Sequence, residues 1–336
     1  MTIYNTDVII VGAGPTGLFS IFEAGMLKMK CHVVDTLDFI GGQCAALYPE
    51  KPIYDIPAHP SILAEDLIAN LEEQARPFDP VFHLGQRVEK VETLEGKSLR
   101  ITTSKNVVIE AKAIIIAAGC GAFGHNRPPL QNIEEYEGKS VFYMVKSRKE
   151  FAGKNVTIAG GGDSAVDWAI SLSEVAKKVS VIHRRDKFRC APESAERMKQ
   201  LANEGKVEMV TPYQLEGLKG ENGKLEQVVV KDFSGSLKEV ETDILLPFFG
   251  LAMELGPIAN WGLNLHKNII EVDFSTMQTS TNGIFAVGDI ATYKNKLKLI
   301  LSGFAEAATA CHAILPLVRP DEVFHFEYST SKGVLK

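Results

Sequence analysis

Three glycines near the start of the chain are spaced as G-x-G-x-x-G, where Gly12, Gly14 and Gly17 follow the apolar run 8–11. At this spacing the first glycine permits a tight turn, the second lets a phosphate approach the backbone, and the third lets a helix pack closely on a strand. The first amides of that helix are unpaired and attract a pyrophosphate. The pattern therefore predicts a dinucleotide site.

An acidic residue, Asp35, ends the second apolar run, Cys31–Val34. A carboxylate about 20 residues after the glycines accepts hydrogen bonds from the adenosine ribose. The same carboxylate would repel a 2′-phosphate, so the first site is expected to take FAD or NAD.

The same pattern recurs in the second half of the chain, as G-x-G-x-x-A directly after the apolar run 155–159. It predicts a second strand, turn and helix around a second pyrophosphate. The residues expected to form this turn are Gly160, Gly162, Asp163, Ser164 and Ala165.

Basic residues occupy the position that Asp35 has in the first half. His183, Arg184 and Arg185 end the run 179–182, and Arg189 follows. Guanidinium groups bind phosphate, often through two hydrogen bonds, so this site is expected to select NADP(H). The alternatives are a solvated basic loop for the arginines and a role in shaping the pocket for His183.

Bulk properties restrict the function classes. With 336 residues the chain can form two domains, and 45% hydrophobic and 23% charged residues are typical of a globular protein. The net charge of −6 gives no indication of nucleic-acid binding. No apolar run of membrane length is evident, and the chain enters its first strand too early for a signal peptide.

The cysteines indicate a reducing environment. Five are present, an odd number, and they are scattered without a C-x-x-C or other metal-like spacing. We therefore expect a cytoplasmic protein without a metal site.

The remaining segments predict the elements that position these residues. A helix is expected over 63–71, a small antiparallel sheet over 81–93, 98–103 and 107–110, and a loop over 41–49. A buried strand ends at Gly119, and further strands are expected at 207–210, 225–231 and 243–249. The run from Thr279 predicts a strand entering Gly288-Asp289, followed by a helix over about 299–314.

The fold class is therefore α/β, with two Rossmann-like dinucleotide-binding domains of three ββα layers. The chain leaves the first domain after the strand at Gly119 and returns near residue 250, so the first dinucleotide-binding domain is discontinuous. The expected boundaries are 1–119 for its first part, 120–248 for the NADPH domain, and 249–336 for its second part with a C-terminal tail.

Together these motifs resemble the low-molecular-weight thioredoxin reductases, which implies a homodimer with one FAD and one NADPH site per subunit. Thioredoxin reductases carry a C-x-x-C just before the helix of the second fingerprint. Residues 141–168 of this chain contain no cysteine, and a dithiol relay cannot operate without its thiols.

The chain more closely resembles the thioredoxin-reductase-like ferredoxin–NADP(+) reductases, through residues 47–57 and the tail 328–330. The resemblance implies that Tyr48 stacks on one face of the isoalloxazine and that Tyr328 of a second subunit covers the other. Asp289 would meet the ribityl chain, with the following helix aimed at the pyrimidine edge. The FAD contacts implied are Thr16, Asp35, Gln43, Tyr48, Val88, Phe123, Asp289 and Thr330.

The activity implied is electron transfer between NADPH and ferredoxin: a hydride passes to flavin N5, and single electrons pass to the iron–sulfur carrier, reversibly. No catalytic acid, base or nucleophile is expected, because the flavin supplies the chemistry. Alternatives are a reductase of flavodoxin, quinone or a ferric chelate, a thioredoxin-reductase-like protein lacking the dithiol, and a redox sensor. Lys294, Lys296 and Lys298 form either a solvated turn or a docking patch for ferredoxin.

Overall fold

The computed structural model describes residues 3–322. They form two compact units, one from the residues up to Phe123 together with those from Met253 onward, the other Gly124–Ala252. Each unit contains a parallel sheet, helices and an antiparallel sheet, which confirms the predicted α/β class. The α-helices of residues 3–322 are α1 (Pro15–Met26), α2 (Gly42–Leu47), α3 (Ala64–Ala75), α4 (Asp163–Leu172), α5 (Pro192–Asn203) and α6 (Ile300–Val318).

A five-stranded parallel sheet forms the centre of the first unit. Because its strands run in the same direction, the loops at their carboxyl ends meet at one edge, where ligands of such sheets bind. The strand order is Ile284–Ala286, Ala113–Ile116, Val8–Val11, Cys31–Val34 and Val81–His83.

The two faces of this sheet are covered differently. On the central strand, Val8 and Ile10 belong to the core shared with α1, α3 and α6, whereas Ile9 and Val11 belong to the core shared with an antiparallel sheet. Alternate residues of a strand point to opposite faces, so a continuous apolar run is what a strand buried on both faces requires. The result is a three-layer unit.

The antiparallel sheet corrects one prediction. Its strands are Ile3–Asn5, Val108–Ala111, Leu99–Thr103 and Val88–Thr93, with the first two paired in parallel. The predicted segment 81–93 was therefore wrong in part, because Val81–His83 joins the parallel sheet. Gly85, at φ +62°, redirects the chain between the two strands.

The second unit repeats the architecture. Its four-stranded parallel sheet has the order Val207–Val210, Lys178–Ile182, Asn155–Ala159 and Ile244–Pro247, and α4 packs on its two central strands. An antiparallel sheet of Gln214–Glu221, Lys224–Lys231 and Leu237–Glu241 accompanies it. The sequence analysis did not predict Gln214–Glu221, in which exposed and half-buried residues are equally frequent, or Leu237–Glu241, which is mostly exposed.

Short elements complete the described chain. The chain crosses between the units in Ala122–His125 and Leu251–Glu254, which pair with each other. The predicted loop 41–49 contains α2, so that prediction was wrong. Short strands pair in two further sheets: Pro52–Ile53 with Ile62–Leu63, and Leu265–His266 with Ile269–Glu271 and Ala291–Thr292.

Helix α6 is apolar and long enough to cross a membrane by length and composition. The expectation that no such run exists was therefore wrong. The reason lies in the fold, because Ala310, Cys311 and Ile314 of this helix are fully buried in the core beside α1. A helix covered along much of its surface reads as apolar throughout.

A buried histidine pair joins the last two strands of the first parallel sheet. His32 Nδ1 and His83 Nε2 lie 3.0 Å apart, and the ring of Tyr4 is 5.7 Å and 5.3 Å from the two imidazoles. Burial lowers the pKa of both histidines, and the neighbouring imidazole lowers that of His32 further. The pair is therefore neutral in the folded state at neutral pH.

This pair should make the protein less stable in mild acid. A histidine has a pKa of about 6.5 in the unfolded chain, whereas the pKa of both histidines is lower in the folded state. Below that pH the unfolded state therefore binds more protons than the folded state. The contribution of the pair to the free energy of unfolding is fully present above the pKa that the histidines have in the unfolded chain. It decreases as the pH falls below that value, by up to about 1.4 kcal/mol per pH unit for each proton. We expect the thermal midpoint to fall from about pH 7.5 to about pH 5.5, less so in His32→Asn/His83→Asn. The exposed His266→Asn is the control; equal pH slopes in all three proteins would contradict the prediction.

Candidate functional site

One cavity of the first unit collects most of the residues predicted for the first dinucleotide. It lies at the carboxyl edge of the parallel sheet, between the first fingerprint, α2 and the start of α6. Gly17 lies behind the loop and not in the lining. The predicted residues that line the cavity are Gly12, Gly14, Thr16, Asp35, Gln43, Tyr48, Val88 and Asp289.

The three fingerprint glycines have different neighbours. A Cβ on Gly12 would lie 2.4 Å from the Ala117 oxygen, and one on Gly17 would lie 2.0 Å from the Gly12 oxygen. A Cβ on Gly14 would lie 3.9 Å from the Gly42 Cα, its nearest neighbour. The protein itself therefore excludes side chains at Gly12 and Gly17, whereas at Gly14 it leaves open a space that a ligand can fill.

The start of α1 suits a diphosphate. Gly14 is the N-cap and provides no side chain to the first-turn amides, and Pro15 follows it. Uncapped amides and the positive end of the helix dipole attract anions. An open Cβ position beside such amides is the cradle that a dinucleotide phosphate requires, so the residues present fit the group.

Asp35 connects the end of its strand to the fingerprint loop. Its Oδ2 accepts the Ala13 N–H at 2.6 Å and its Oδ1 accepts the Leu37 N–H at 2.8 Å. Burial raises the pKa of this carboxyl, and the hydrogen bonds to Ala13 and Leu37 lower it. Each oxygen has a second lone pair, which leaves acceptors for ribose hydroxyls.

Helix α2 places Gln43 and Tyr48 on the cavity. The buried Cys44 thiol lies 3.8 Å from the Tyr48 hydroxyl, and the Lys51 ammonium lies 5.7 Å from the centre of the Tyr48 ring. Burial raises the pKa of Cys44 to about 11 and raises that of Cys120. Both thiols therefore stay protonated at neutral pH, which disfavours thiolate chemistry.

The sequence analysis missed Glu306, a buried carboxylate behind the Gly288-Asp289 turn. Its Oε2 accepts the Gly288 N–H at 2.8 Å, and its Oε1 accepts the Tyr293 hydroxyl at 2.7 Å and the Lys296 ammonium. The signal was available, since Glu306 is the single acidic residue of the apolar run 300–318. The sequence analysis expected Lys296 to lie either in a solvated turn or in a docking patch, and both expectations were wrong because its side chain is buried against Glu306. Of the other two lysines, Lys294 is exposed and Lys298 lines the cavity.

A second cavity, wholly within the second unit, contains the second fingerprint. A Cβ on Gly160 would lie 2.6 Å from the Phe248 oxygen, whereas one on Gly162 would lie 3.9 Å from the Arg189 oxygen. Gly162 is also the N-cap of α4 and gives it no side-chain cap. The predicted residues lining this cavity are Gly160, Gly162, His183, Arg184, Arg185 and Arg189; Asp163, Ser164 and Ala165 open α4.

The arginine loop is attached to this fingerprint. The Arg189 N–H donates to the Gly161 oxygen at 2.6 Å, and the Ala191 N–H donates to Asp163 Oδ1 at 3.0 Å. The His183 ring packs against Gly161, where a Cβ would lie 2.1 Å from it. Burial, with the nearby arginines, lowers the pKa of His183. The exposed guanidinium groups are thus held beside the fingerprint rather than on an independent loop.

Three predicted residues fall where the structure gives no side chain. Phe123 is described only as backbone in Ala122–His125. Tyr328 and Thr330 lie outside the described residues. No cluster of metal-ligating side chains occurs in residues 3–322.

Comparison with known proteins gives consistent matches. The model of the pyridine nucleotide-disulphide oxidoreductase family matches residues 6–310. The ferredoxin–NADP reductase of Paramagnetospirillum magneticum is 58% identical over 100% of both chains, and that of Rickettsia akari is 58% identical over 98% of both. Among solved structures, thioredoxin reductase from Lactococcus lactis has a TM-score of 0.81 at 25% identity, covering 93% of this chain and 99% of its own. Thioredoxin reductase from T. acidophilum has a TM-score of 0.82 at 25% identity, covering 93% and 98%.

Substitution of single glycines should distinguish a glycine that makes room for the ligand, Gly14, from one that makes room for the protein's own backbone, Gly17. A Cβ at Gly14 makes only an ordinary van der Waals contact, 3.9 Å from the Gly42 Cα, and φ −74° suits alanine, so we expect Gly14→Ala to cost the apoprotein at most about 1 kcal/mol. FAD affinity should fall by about tenfold or more, because the methyl group occupies the phosphate space. Gly17→Ala should lose about 2 kcal/mol or more of folding free energy through its clash with Gly12. Urea unfolding of the apoprotein and FAD titration measure both; equal destabilisation, or unchanged FAD affinity in Gly14→Ala, would refute the assignment.

Proposed function

Because this chain belongs to the pyridine nucleotide-disulphide oxidoreductase family, and within it to the ferredoxin–NADP reductases, we propose that it transfers electrons between NADPH and ferredoxin with FAD as its cofactor. One observation carries the proposal beyond the relatives' names. A single chain forms two dinucleotide cavities, with a carboxylate beyond the first fingerprint and three arginines beyond the second.

The first unit is the proposed FAD-binding unit. The amide of Thr16 faces the diphosphate, Gly17 lets α1 pack closely on the fingerprint loop, and Asp35 accepts the ribose hydroxyls. Gln43, Tyr48 and Asp289 serve the flavin end, and the start of α6 stabilises negative charge there. The remaining proposed contacts are Gly12, Gly14, Val88, Phe123 and Thr330.

The second unit is the proposed NADPH-binding unit. Gly160, Gly162, Ser164 and Ala165 receive the pyrophosphate at the start of α4. Arg184, Arg185 and Arg189 bind the 2′-phosphate, while Asp163 and His183 hold the arginine loop in place. The proposed domain boundaries are those predicted from the sequence, at residues 119/120 and 248/249, each four residues before the corresponding division between the two compact units, at 123/124 and 252/253.

When bound, the flavin would supply the redox chemistry, because it can accept a hydride and release single electrons, which no side chain can do. The protein's part is to position the ring, to set its electrostatic surroundings and to select the nucleotide. The raised pKa of Cys44 supports this division, because a protonated thiol is a poor nucleophile.

We also propose that the protein is a cytoplasmic homodimer in which Tyr328 of one subunit covers the flavin of the other. Five free cysteines, three of them buried, support a reducing compartment.

Removing the arginines should change nucleotide preference rather than turnover. A charge-assisted hydrogen bond to phosphate contributes about 1.5–3 kcal/mol, so Arg184→Ala and Arg185→Ala should each raise the KM for NADPH by about tenfold or more. The KM for NADH and kcat should change little, because NADH lacks the 2′-phosphate. Lys206→Ala, which removes an exposed lysine paired with Glu204, is the matched control. Equal effects on both nucleotides would show that the arginines do not bind the 2′-phosphate.

Stopped-flow absorbance tests the activity itself. Mixing the purified protein with NADPH should bleach the flavin band, and adding ferredoxin with cytochrome c should give ferredoxin-dependent reduction of the cytochrome. Cys44→Ser/Cys120→Ser should retain both steps, since neither thiol is required. Bleaching without ferredoxin-dependent turnover would discard ferredoxin as the acceptor, and absence of bleaching would discard the enzyme. Loss of turnover only in the cysteine variant would indicate thiol chemistry instead.

A further inference from the structure

Two opposite charges are buried together beside the proposed flavin site. The side chains of Lys296 and Glu306 are 5% and 2% exposed, and they form an ion pair. Burying two charges costs several kcal/mol per ion, and a pair commonly does not exceed the stability of apolar residues of the same size. Such a pair is weak evidence of stabilisation, so another role is to be expected.

The contacts of Glu306 indicate that role. One carboxylate oxygen accepts the Gly288 N–H at 2.8 Å, while the other accepts Lys296 and the Tyr293 hydroxyl. Burial and the bond to Glu306 raise the pKa of Tyr293, which keeps its phenol a donor. One oxygen of the Glu306 carboxylate is therefore fixed by the Lys296 and Tyr293 donors, while the other oxygen fixes the backbone N–H of Gly288.

The turn that Glu306 holds is tightly enclosed. Gly288 has φ +76°, and a Cβ there would lie 3.1 Å from Thr16 Oγ1; a Cβ on Gly303 of α6 would lie 2.4 Å from the same atom. The turn thus lies between the start of α1 and the start of α6. Thr16, Gly288 and Asp289 all line the first cavity.

We infer that Glu306 is the positioning residue of the flavin site: by accepting the Gly288 N–H, it fixes the Gly288-Asp289 turn so that Asp289 faces the cofactor. Lys296 and Tyr293 neutralise and orient this carboxylate. This inference rests on the proposed function only in taking FAD as the ligand of the first cavity. Glu306 itself does not line that cavity.

Two double variants isolate the acceptor from the charges. Glu306→Gln/Lys296→Met removes both charges and keeps an oxygen for the Gly288 N–H, whereas Glu306→Leu/Lys296→Met removes the charges and the acceptor. The glutamine variant should bind FAD within about threefold of the unsubstituted protein. The leucine variant should bind it about tenfold more weakly, the loss expected for one hydrogen bond to a buried amide. FAD titration of the apoprotein, followed by flavin fluorescence, measures both.

A second ion pair of the same unit is the matched control. Arg100 and Glu110 are paired across the antiparallel sheet and do not line the cavity. Arg100→Met/Glu110→Gln should alter thermal stability without altering FAD affinity, which separates positioning from general stability.

The visible absorption and circular dichroism of the bound flavin give a further readout. The leucine variant should show a changed flavin spectrum at saturating FAD, and the glutamine variant should restore that of the unsubstituted protein. Equal FAD affinity and equal spectra in the two double variants would overturn the inference. Failure of the unsubstituted protein to bind FAD at all would overturn the proposed function instead.

Discussion

The dinucleotide-binding architecture depends on the starts of two helices, where a glycine leaves the first-turn amides accessible. Gly14 and Gly162 are the N-caps of α1 and α4, and neither supplies a side-chain oxygen to the first-turn amides. Compared with serine, threonine, aspartate or asparagine, a glycine N-cap destabilises a helix by only roughly a few tenths of a kcal/mol. The unsatisfied donors are acceptable where an anion completes them. Each unit therefore has a helix start whose amides remain available to an anion.

The same geometry is built twice with different neighbours. Gly12 is crowded by the oxygen of Ala117, and Gly160 by the oxygen of Phe248; each oxygen follows directly on the adjacent parallel strand. The loops beyond diverge in charge. In the first unit Asp35 accepts the Ala13 amide of the fingerprint loop, whereas in the second the arginine loop donates the Arg189 amide to the fingerprint. The residues proposed to select each nucleotide therefore also hold their own loops in place.

Sequence reasoning succeeded where a residue's type is dictated by the backbone. Gly12 and Gly17 have no room for a Cβ, and the strand Val8–Val11 is buried on both faces, so spacing and hydrophobicity suffice to predict them. It was wrong for Val81–His83, because a short strand takes its sheet from a turn at Gly85 that local hydrophobicity does not reveal. It also missed Gln214–Glu221, which has no fully buried residue and pairs with its neighbour through the backbone. Pairing through main-chain atoms places few restrictions on the residue types of a strand, so the sequence gives little indication of it.

Glu306 shows that even an informative residue type does not identify its partners in the fold. A single acid in an apolar helix predicts that something must satisfy it, since a buried carboxylate without partners is very costly. The sequence does not say what, because its partners lie 10 to 18 residues earlier and are brought close by the turn after Ile284–Ala286. The lysines in that turn read as a surface patch because charge runs commonly are one. Only the fold distinguishes Lys296, which neutralises an internal carboxylate, from the exposed Lys294. A charged residue near a redox site is therefore better assigned by the group it faces than by the charges beside it in the sequence.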